Sequence, residues 1–201
     1  MQQLLIETQK FNPVFSLNES IKAPSGNPIV TGILATAEVK NGNGRYYSRE
    51  IWEREMEKYA ELINERRSLG ELDHPESQII NLNNVSHIIT KFWWDGDNIM
   101  GDIEILPTPS GNILKSLIEN KITVGVSSRG MGSVEQKGDL LEVGTDFSLI
   151  GWDFISTPSN PGSWMHPKPL NESLNLVNKS TNRLNDIIRE ILCSKGNCPV
   201  F

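Results

Sequence analysis

The sequence has only two cysteines in 201 residues, Cys193 and Cys198, both close to its end, which excludes a disulfide-built fold. Two thiols without clustered histidines make no zinc site, and the three histidines form no HExxH pair, so no metal and no other cofactor is expected. No apolar run approaches the ~20 residues that span a bilayer. Met1-Gln2-Gln3 also lacks the positive start of a secretory signal, so a cytosolic protein without a membrane partner is expected. The 19 basic residues are outnumbered by 25 acidic ones, for a net charge of −6, and they are scattered. A nucleic-acid surface needs them clustered, so nucleic acid is not an expected partner either. What is present, 37% hydrophobic and 22% charged residues, is the composition of one globular domain with a real core.

Along the chain, residues 1–28 carry Pro13, Pro24, Gly26 and Pro28 without a sustained period and read as an arm with little regular structure of its own. Residues 29–169 form the expected central domain. Ile29 to Val39 is a strand, and Asn41-Gly42-Asn43-Gly44 turns it. Ser48 caps an expected helix over 49–66, in which Trp52, Met56, Tyr59 and Ile63 make one apolar stripe facing a core. Residues 85–94 and 99–106 form a hairpin about Asp95-Gly96-Asp97-Asn98, and Ser110 is the expected cap of a helix through Asn120. Further strands are expected around 130–135, 140–143 and 147–156, before Pro158, Pro161, Pro167 and Pro169 end the domain. Strands outnumber helices and most connections look antiparallel. The expected class is α+β, a mainly antiparallel sheet or small barrel flanked by a few helices. Residues 170–201 are an Asn-, Ser- and Lys-rich tail with a short amphipathic helix over 182–192.

Three positions carry the parts for nucleophilic catalysis. Val124-Gly125-Val126-Ser127-Ser128-Arg129-Gly130 reads as a buried strand breaking into hydroxyls and an Arg. By itself that is as well an ordinary solvated turn. His74 lies in Gly70-Glu71-Leu72-Asp73-His74-Pro75, where glycine and proline restrict the backbone. Alone, it reads as a loop histidine that caps or hydrogen-bonds. His87, inside an apolar strand, and His166, in the proline-rich exit, are weaker candidates. Glu71, Asp73 and His74 have no second histidine at ligand spacing, which argues against a metal centre there. Asp153 stands among Trp152, Phe154 and Ile155, which suits a carboxylate that orients an imidazolium and equally an edge-strand Asp facing water.

Taken together these motifs resemble the prohead core proteases of T-even-type tailed phages, serine proteases related in fold to the herpesvirus assemblins. The resemblance rests on Leu72 with His74-Pro75, Trp93-Trp94 before a glycine turn, Gly125 to Gly130 followed by Gly132-Ser133, and Asp153 followed by Pro158-Ser159 and Trp164. Gln3-Leu4-Leu5-Ile6-Glu7-Thr8 is similar to the start of that family, and the match runs in one order over roughly residues 2–169. It implies Ser127 as nucleophile, His74 as general base and Asp153 as the third member, with Ser128 as a neighbour and Arg129 and Gly130 as the source of oxyanion-stabilising groups. The resembling proteases have Asn before the histidine where this chain has Asp73, which makes Asp73 a competitor to Asp153 for the orienting role.

The resemblance further implies an endopeptidase packed inside the immature prohead in the host cytoplasm, cutting after Glu in a Leu/Ile-x-Glu pattern. Its substrates would be scaffold or core proteins, the major capsid protein and itself, and self-association would accompany activity. Such tripeptides occur at Leu5-Ile6-Glu7, Leu17-Asn18-Glu19, Leu170-Asn171-Glu172 and Ile188-Arg189-Glu190, and also at Leu117-Ile118-Glu119 within an expected helix. Cutting after Glu172 would remove the tail. Two other classes fit less well. A catalytically inactive capsid-assembly module would keep the fold without bringing the three residues together, and a small-molecule esterase would show a Gly-x-Ser-x-Gly elbow that this chain lacks.

Overall fold

The computed structural model describes residues 3–5, 22–75, 77–160 and 162–167. The chain falls into two compact units, Met1–Lys168 and Pro169–Phe201, and every described residue belongs to the first. The tail and its expected helix therefore lie outside the described residues, as does most of the N-terminal arm.

Three sheets carry the described strands. The first has the order β11 (His166–Pro167), β2 (Ile29–Thr36), β6 (Asn98–Ile105), β5 (Val85–Asp95) and β4 (Leu69–Glu71). The second is β1 (Gln3–Leu5), β7 (Gly125–Gly132) and β10 (Ser148–Ile155), and the third is β3 (Arg45–Tyr46), β9 (Leu140–Val143) and β8 (Val134–Lys137). Every pairing is antiparallel except β3 with β9. The mainly antiparallel α+β expectation holds, but the barrel named beside it does not. Closure would require continuous ladders that join both ends of the five-stranded sheet into one ring. Instead β4 runs on into a bridge between Leu72 and Phe154 of β10, while Trp164, just before β11, bridges Gly125 of β7. The large sheet thus leans on the small one at both ends and stays open.

The helices follow from local chemistry. In α1 (Arg49–Asn64) the Ser48 side chain accepts from the Ile51 N–H, satisfying one of the orphan donors of the first turn. The helix buries Trp52, Met56 and Tyr59, with Ile63 packed at the margin. Trp52 stacks on Trp152 of β10 with ring centroids 6.2 Å apart, and Tyr59 meets the same indole edge-on at 4.8 Å. Glu55 is buried in the same helix, which the amphipathic pattern would have left in water. Its carboxylate is held by Arg54, Lys58 and the Leu149 N–H, and although burial pushes it up, these contacts hold it below the ordinary Glu value.

The second helix, α2 (Pro109–Glu119), corrects the expected cap. Thr108, not Ser110, accepts from the Gly111 N–H at 3.0 Å, because Pro109 takes the first helical position, where its missing N–H costs nothing. Among the described residues no helix is long and apolar enough to cross a membrane.

Candidate active site

The pleat of β10 sorts its side chains. Trp152 and Phe154 point one way, into the aromatic core, and Asp153 points the other. Across the antiparallel ladder Asp153 stands directly opposite Ser127 of β7, while Trp152 stands opposite Ser128. Directly opposed residues share a face of the sheet, as do residues two apart on one strand, so Ser127, Arg129 and Asp153 share one face. All three are fully buried. Ser128, on the other face, is buried beside the core, and Gly130 pairs with Leu149 and with Leu5 of β1.

His74 reaches this face from the segment after β4. Asp73 before it has φ +63°, a left-handed conformation that Asp and Asn tolerate better than other non-glycine residues, and its N–H donates to the Phe154 carbonyl at 2.8 Å. That kink turns the imidazole toward β10. The His74 Nδ1–H donates to Asp153 Oδ2 at 2.8 Å, and Nε2 is buried with no hydrogen-bond partner. Asp73 is itself exposed, so the carboxylate on the imidazole is that of Asp153. The backbone conformation explains why a short Asx-type residue stands before the histidine without giving it a part in the chemistry.

Asp153 is neither an edge carboxylate in water nor an isolated buried charge. Its Oδ1 accepts from the Glu71 N–H at 3.0 Å and from Arg129 Nη2 at 3.1 Å, and its Oδ2 accepts from Arg129 Nε at 2.7 Å as well as from His74. Burial alone would push the carboxyl up. The His74 hydrogen bond, the Arg129 charge and the Glu71 N–H outweigh it, so Asp153 sits below the ordinary Asp value and stays ionised at neutral pH.

Sequence reasoning missed the pairing of Arg129 with Glu71. Both side chains are fully buried, with Nη2 donating to Glu71 Oε1 at 2.9 Å and Nη1 to the Ser77 carbonyl at 2.7 Å. The only hint was an arginine in a buried-type strand, since Glu71 reads as part of the segment that carries His74. Glu71, Asp73 and His74 do not converge, and among the described residues no three His, Cys, Asp or Glu side chains gather as a metal site.

His87 is a core residue. Its Nε2–H donates to the Trp152 carbonyl at 3.0 Å, its Nδ1 accepts from the Ser86 hydroxyl at 2.8 Å, and its ring meets Phe154 edge-on. Burial pulls its pKa down to about 4 against the opposing effects of Asp153 and the Trp152 carbonyl. Because the folded value is depressed, the neutral ring contributes stability above the unfolded pKa of about 6.5, and that stability is lost as pH falls toward 4. The loss expected from His87 between pH 7 and 4 is about 3 kcal/mol. Urea melts across that range check it: His87→Gln should flatten the dependence, and an equally steep curve in the variant would assign it elsewhere.

A buried Asp that holds a histidine, with a serine opposite it on the same sheet face, is a set of groups suited to acyl transfer through an activated hydroxyl. The family described as prohead core protein serine protease matches residues 20–175. The chain is 32% identical over 149 residues to the prohead core protein protease of Enterobacteria phage T4, covering 72% of this chain and 70% of that one. Its structure is similar to that of the bacteriophage T4 capsid assembly protease, with a TM-score of 0.68, 26% identity, and coverage of 79% of this chain and 97% of that one. The chain belongs to the prohead core protein serine protease family and is a peptidase.

Proposed function

We propose that the chain is a serine endopeptidase of capsid maturation, in which Ser127 is the nucleophile, His74 the general base and Asp153 the group that orients the imidazole. The observation that carries the reading is the Nδ1 to Asp153 hydrogen bond, made on the sheet face where Ser127 stands opposite Asp153, with Nε2 left unengaged. Donation from Nδ1 fixes the neutral tautomer whose lone pair is on Nε2, the form that can accept a hydroxyl proton.

In the forward step the Ser127 oxygen bonds to the scissile carbonyl carbon as its proton passes to His74 Nε2. The C–N bond then breaks as that proton moves to the leaving amine, and water, deprotonated by the same imidazole, hydrolyses the acyl-enzyme. The ionised Asp153 stabilises the imidazolium formed in between. The Arg129 guanidinium is committed to two carboxylates, so what this residue can offer the oxyanion is its backbone, as can Gly130, with Ser128 as their neighbour. Ser127 is fully buried, so substrate entry requires whatever lies over it to move aside.

The T4 relative carries the prohead core in its name, and the proposed substrates are accordingly scaffold or core proteins, the major capsid protein and the chain itself, cut after Glu inside the prohead. The proposed domain plan is an arm over 1–28, a protease body over 29–169 and a tail over 170–201 that self-cleavage removes. Leu117-Ile118-Glu119 is locked in α2 with Ile118 buried, which protects that tripeptide, whereas the other four lie outside the described residues except for Leu5. Intact-mass measurement of the full chain after concentrated incubation tests the reading. The wild type is expected to shorten at a Glu such as Glu172 and Ser127→Ala to remain whole. Equal shortening of both would remove Ser127 from the nucleophile's role.

A further inference from the structure

We infer that Arg129 and Glu71 form a positioning pair for the hydrolytic reaction: Arg129 fixes the plane of the Asp153 carboxylate, and Glu71 offsets the charge that this fixing introduces. The inference rests on the His74, Ser127 and Asp153 reading above.

Arg129 grips Asp153 at two points, Nε on Oδ2 and Nη2 on Oδ1, at 2.7 and 3.1 Å. A side-on fork of this kind holds both oxygens in the guanidinium plane, and no single-point donor can do so. The oxygen that accepts from Nε is the one that accepts from His74 Nδ1, so the fork sets the direction from which Asp153 meets the imidazole. The fork alone, however, has an electrostatic cost. A cation within hydrogen-bond reach of Asp153, in surroundings with no solvent to screen it, cancels the negative charge that an imidazolium needs.

Glu71 restores that charge. Its Oε1 accepts from the same Nη2 at 2.9 Å and from the Asn81 N–H at 3.0 Å, and its backbone N–H donates to Asp153. The formal charges of one guanidinium and two carboxylates leave the buried group with a net negative charge, which is neutralised when His74 takes the proton of the nucleophile. The cluster is balanced in the state that the chemistry creates rather than in the resting state.

The other titratable groups around Asp153 do not supply this charge. His87 on β5 and Tyr59 on α1 both sense Asp153, but burial holds His87 down at about 4 and pushes Tyr59 up, so both are neutral near pH 7, while Asp73 is exposed to water. A purely architectural role for the pair, as a latch between β4, β7 and the Ser77 carbonyl, predicts lower stability without any change in the titration of the reaction.

The test is kinetic, on the full chain with a fluorogenic Leu-x-Glu peptide across pH 5 to 9, beside thermal melts. Glu71→Gln keeps the shape and, with its amide oxygen on Arg129 Nη2 and the Asn81 N–H, the acceptor; it removes the charge and puts its NH2 where Oε2 is buried without a partner. It is expected to lower kcat about tenfold with KM within about twofold, and to move the acid limb of the kcat/KM profile about one unit to lower pH, since each pH unit corresponds to a tenfold change in the proton equilibrium. Arg129→Lys keeps the charge and loses the fork, and is expected to lower kcat about a hundredfold. A folded Glu71→Gln with wild-type kcat and acid limb overturns the inference. Should that variant melt below the assay temperature, Arg129→Lys decides in its place, with wild-type kcat overturning the fork. Should both melt, the two variants are assayed again below the lower of their melting temperatures, where the same outcomes decide. Ser127→Ala run in the same assay separates the two readings. If it cleaves like the wild type the nucleophile assignment fails, whereas if it is inactive and Glu71→Gln behaves as wild type only the positioning pair fails.

Discussion

Asp153→Asn is expected to lower kcat by about 10⁴ while leaving KM nearly unchanged, and to cost about 3–5 kcal/mol of stability. The two effects have one geometric cause. All four hydrogen bonds to the carboxylate are donated to it, by the Glu71 N–H, by Arg129 twice and by His74 Nδ1. An amide has one acceptor oxygen. Whichever way it turns, its NH2 group faces donors: Nε and the imidazole if it replaces Oδ2, or Nη2 and the Glu71 N–H if it replaces Oδ1. In the first orientation His74 must present a lone pair from Nδ1, which puts the hydrogen on Nε2 and leaves no base for Ser127. In either orientation Arg129 keeps one carboxylate partner of two in a fully buried site. Steady-state kinetics with differential scanning calorimetry would read both effects, the melting temperature falling by roughly 10 °C. A stable and active Asp153→Asn variant would mean that Asp153 neither orients the base nor balances the arginine.

The second large effect is expected at Gly70. A Cβ built there overlaps the carbonyl oxygen of Trp152 and the ring of His87, because β4 lies directly against both β5 and β10. The first obstacle is rigid backbone. The second is a ring fixed at both nitrogens, so neither yields easily. Gly70→Ala is expected to destabilise the domain by about 3 kcal/mol and to lower kcat as well, since the displaced carbonyl belongs to the peptide that carries Asp153. Calorimetry together with peptide cleavage checks it. An unchanged melting temperature would show that β4 can retreat from β10 without consequence.

How far the sequence discloses this arrangement depends on the range of the signal. Ser48, the α1 stripe, the hairpin about Gly96 and the strand at Asp153 are local patterns, each legible within a dozen residues and each found where expected. Ser110 competes with Thr108 because both are good caps, and Pro109 decides between them in favour of Thr108. Four short strands, β1, β3, β4 and β11, escape a sequence reading because two or three residues carry no period. β4 matters most among these, since its register against β5 and its contact with β10 bring Glu71 to an arginine 58 residues away. The individual site residues are visible as unusual contexts. The ion pair beneath them is not, because nothing local ties Glu71 to Arg129. Which carboxylate meets the imidazole, Asp153 rather than the neighbouring Asp73, is likewise settled by the His74 hydrogen bond and the exposure of Asp73, neither of which is local in sequence.

Everything proposed for the site depends on Ser127 being the group that attacks the peptide carbonyl. The most direct measurement treats a preparation of the full chain that cleaves a Leu-x-Glu peptide with a fluorophosphonate, following residual cleavage and mapping the modified residue by peptide mass spectrometry. One phosphonylated residue, Ser127, is expected to accumulate in step with loss of cleavage, with no labelling in His74→Ala. Loss of cleavage with the label on another residue, or cleavage that persists with Ser127 fully labelled, would contradict it.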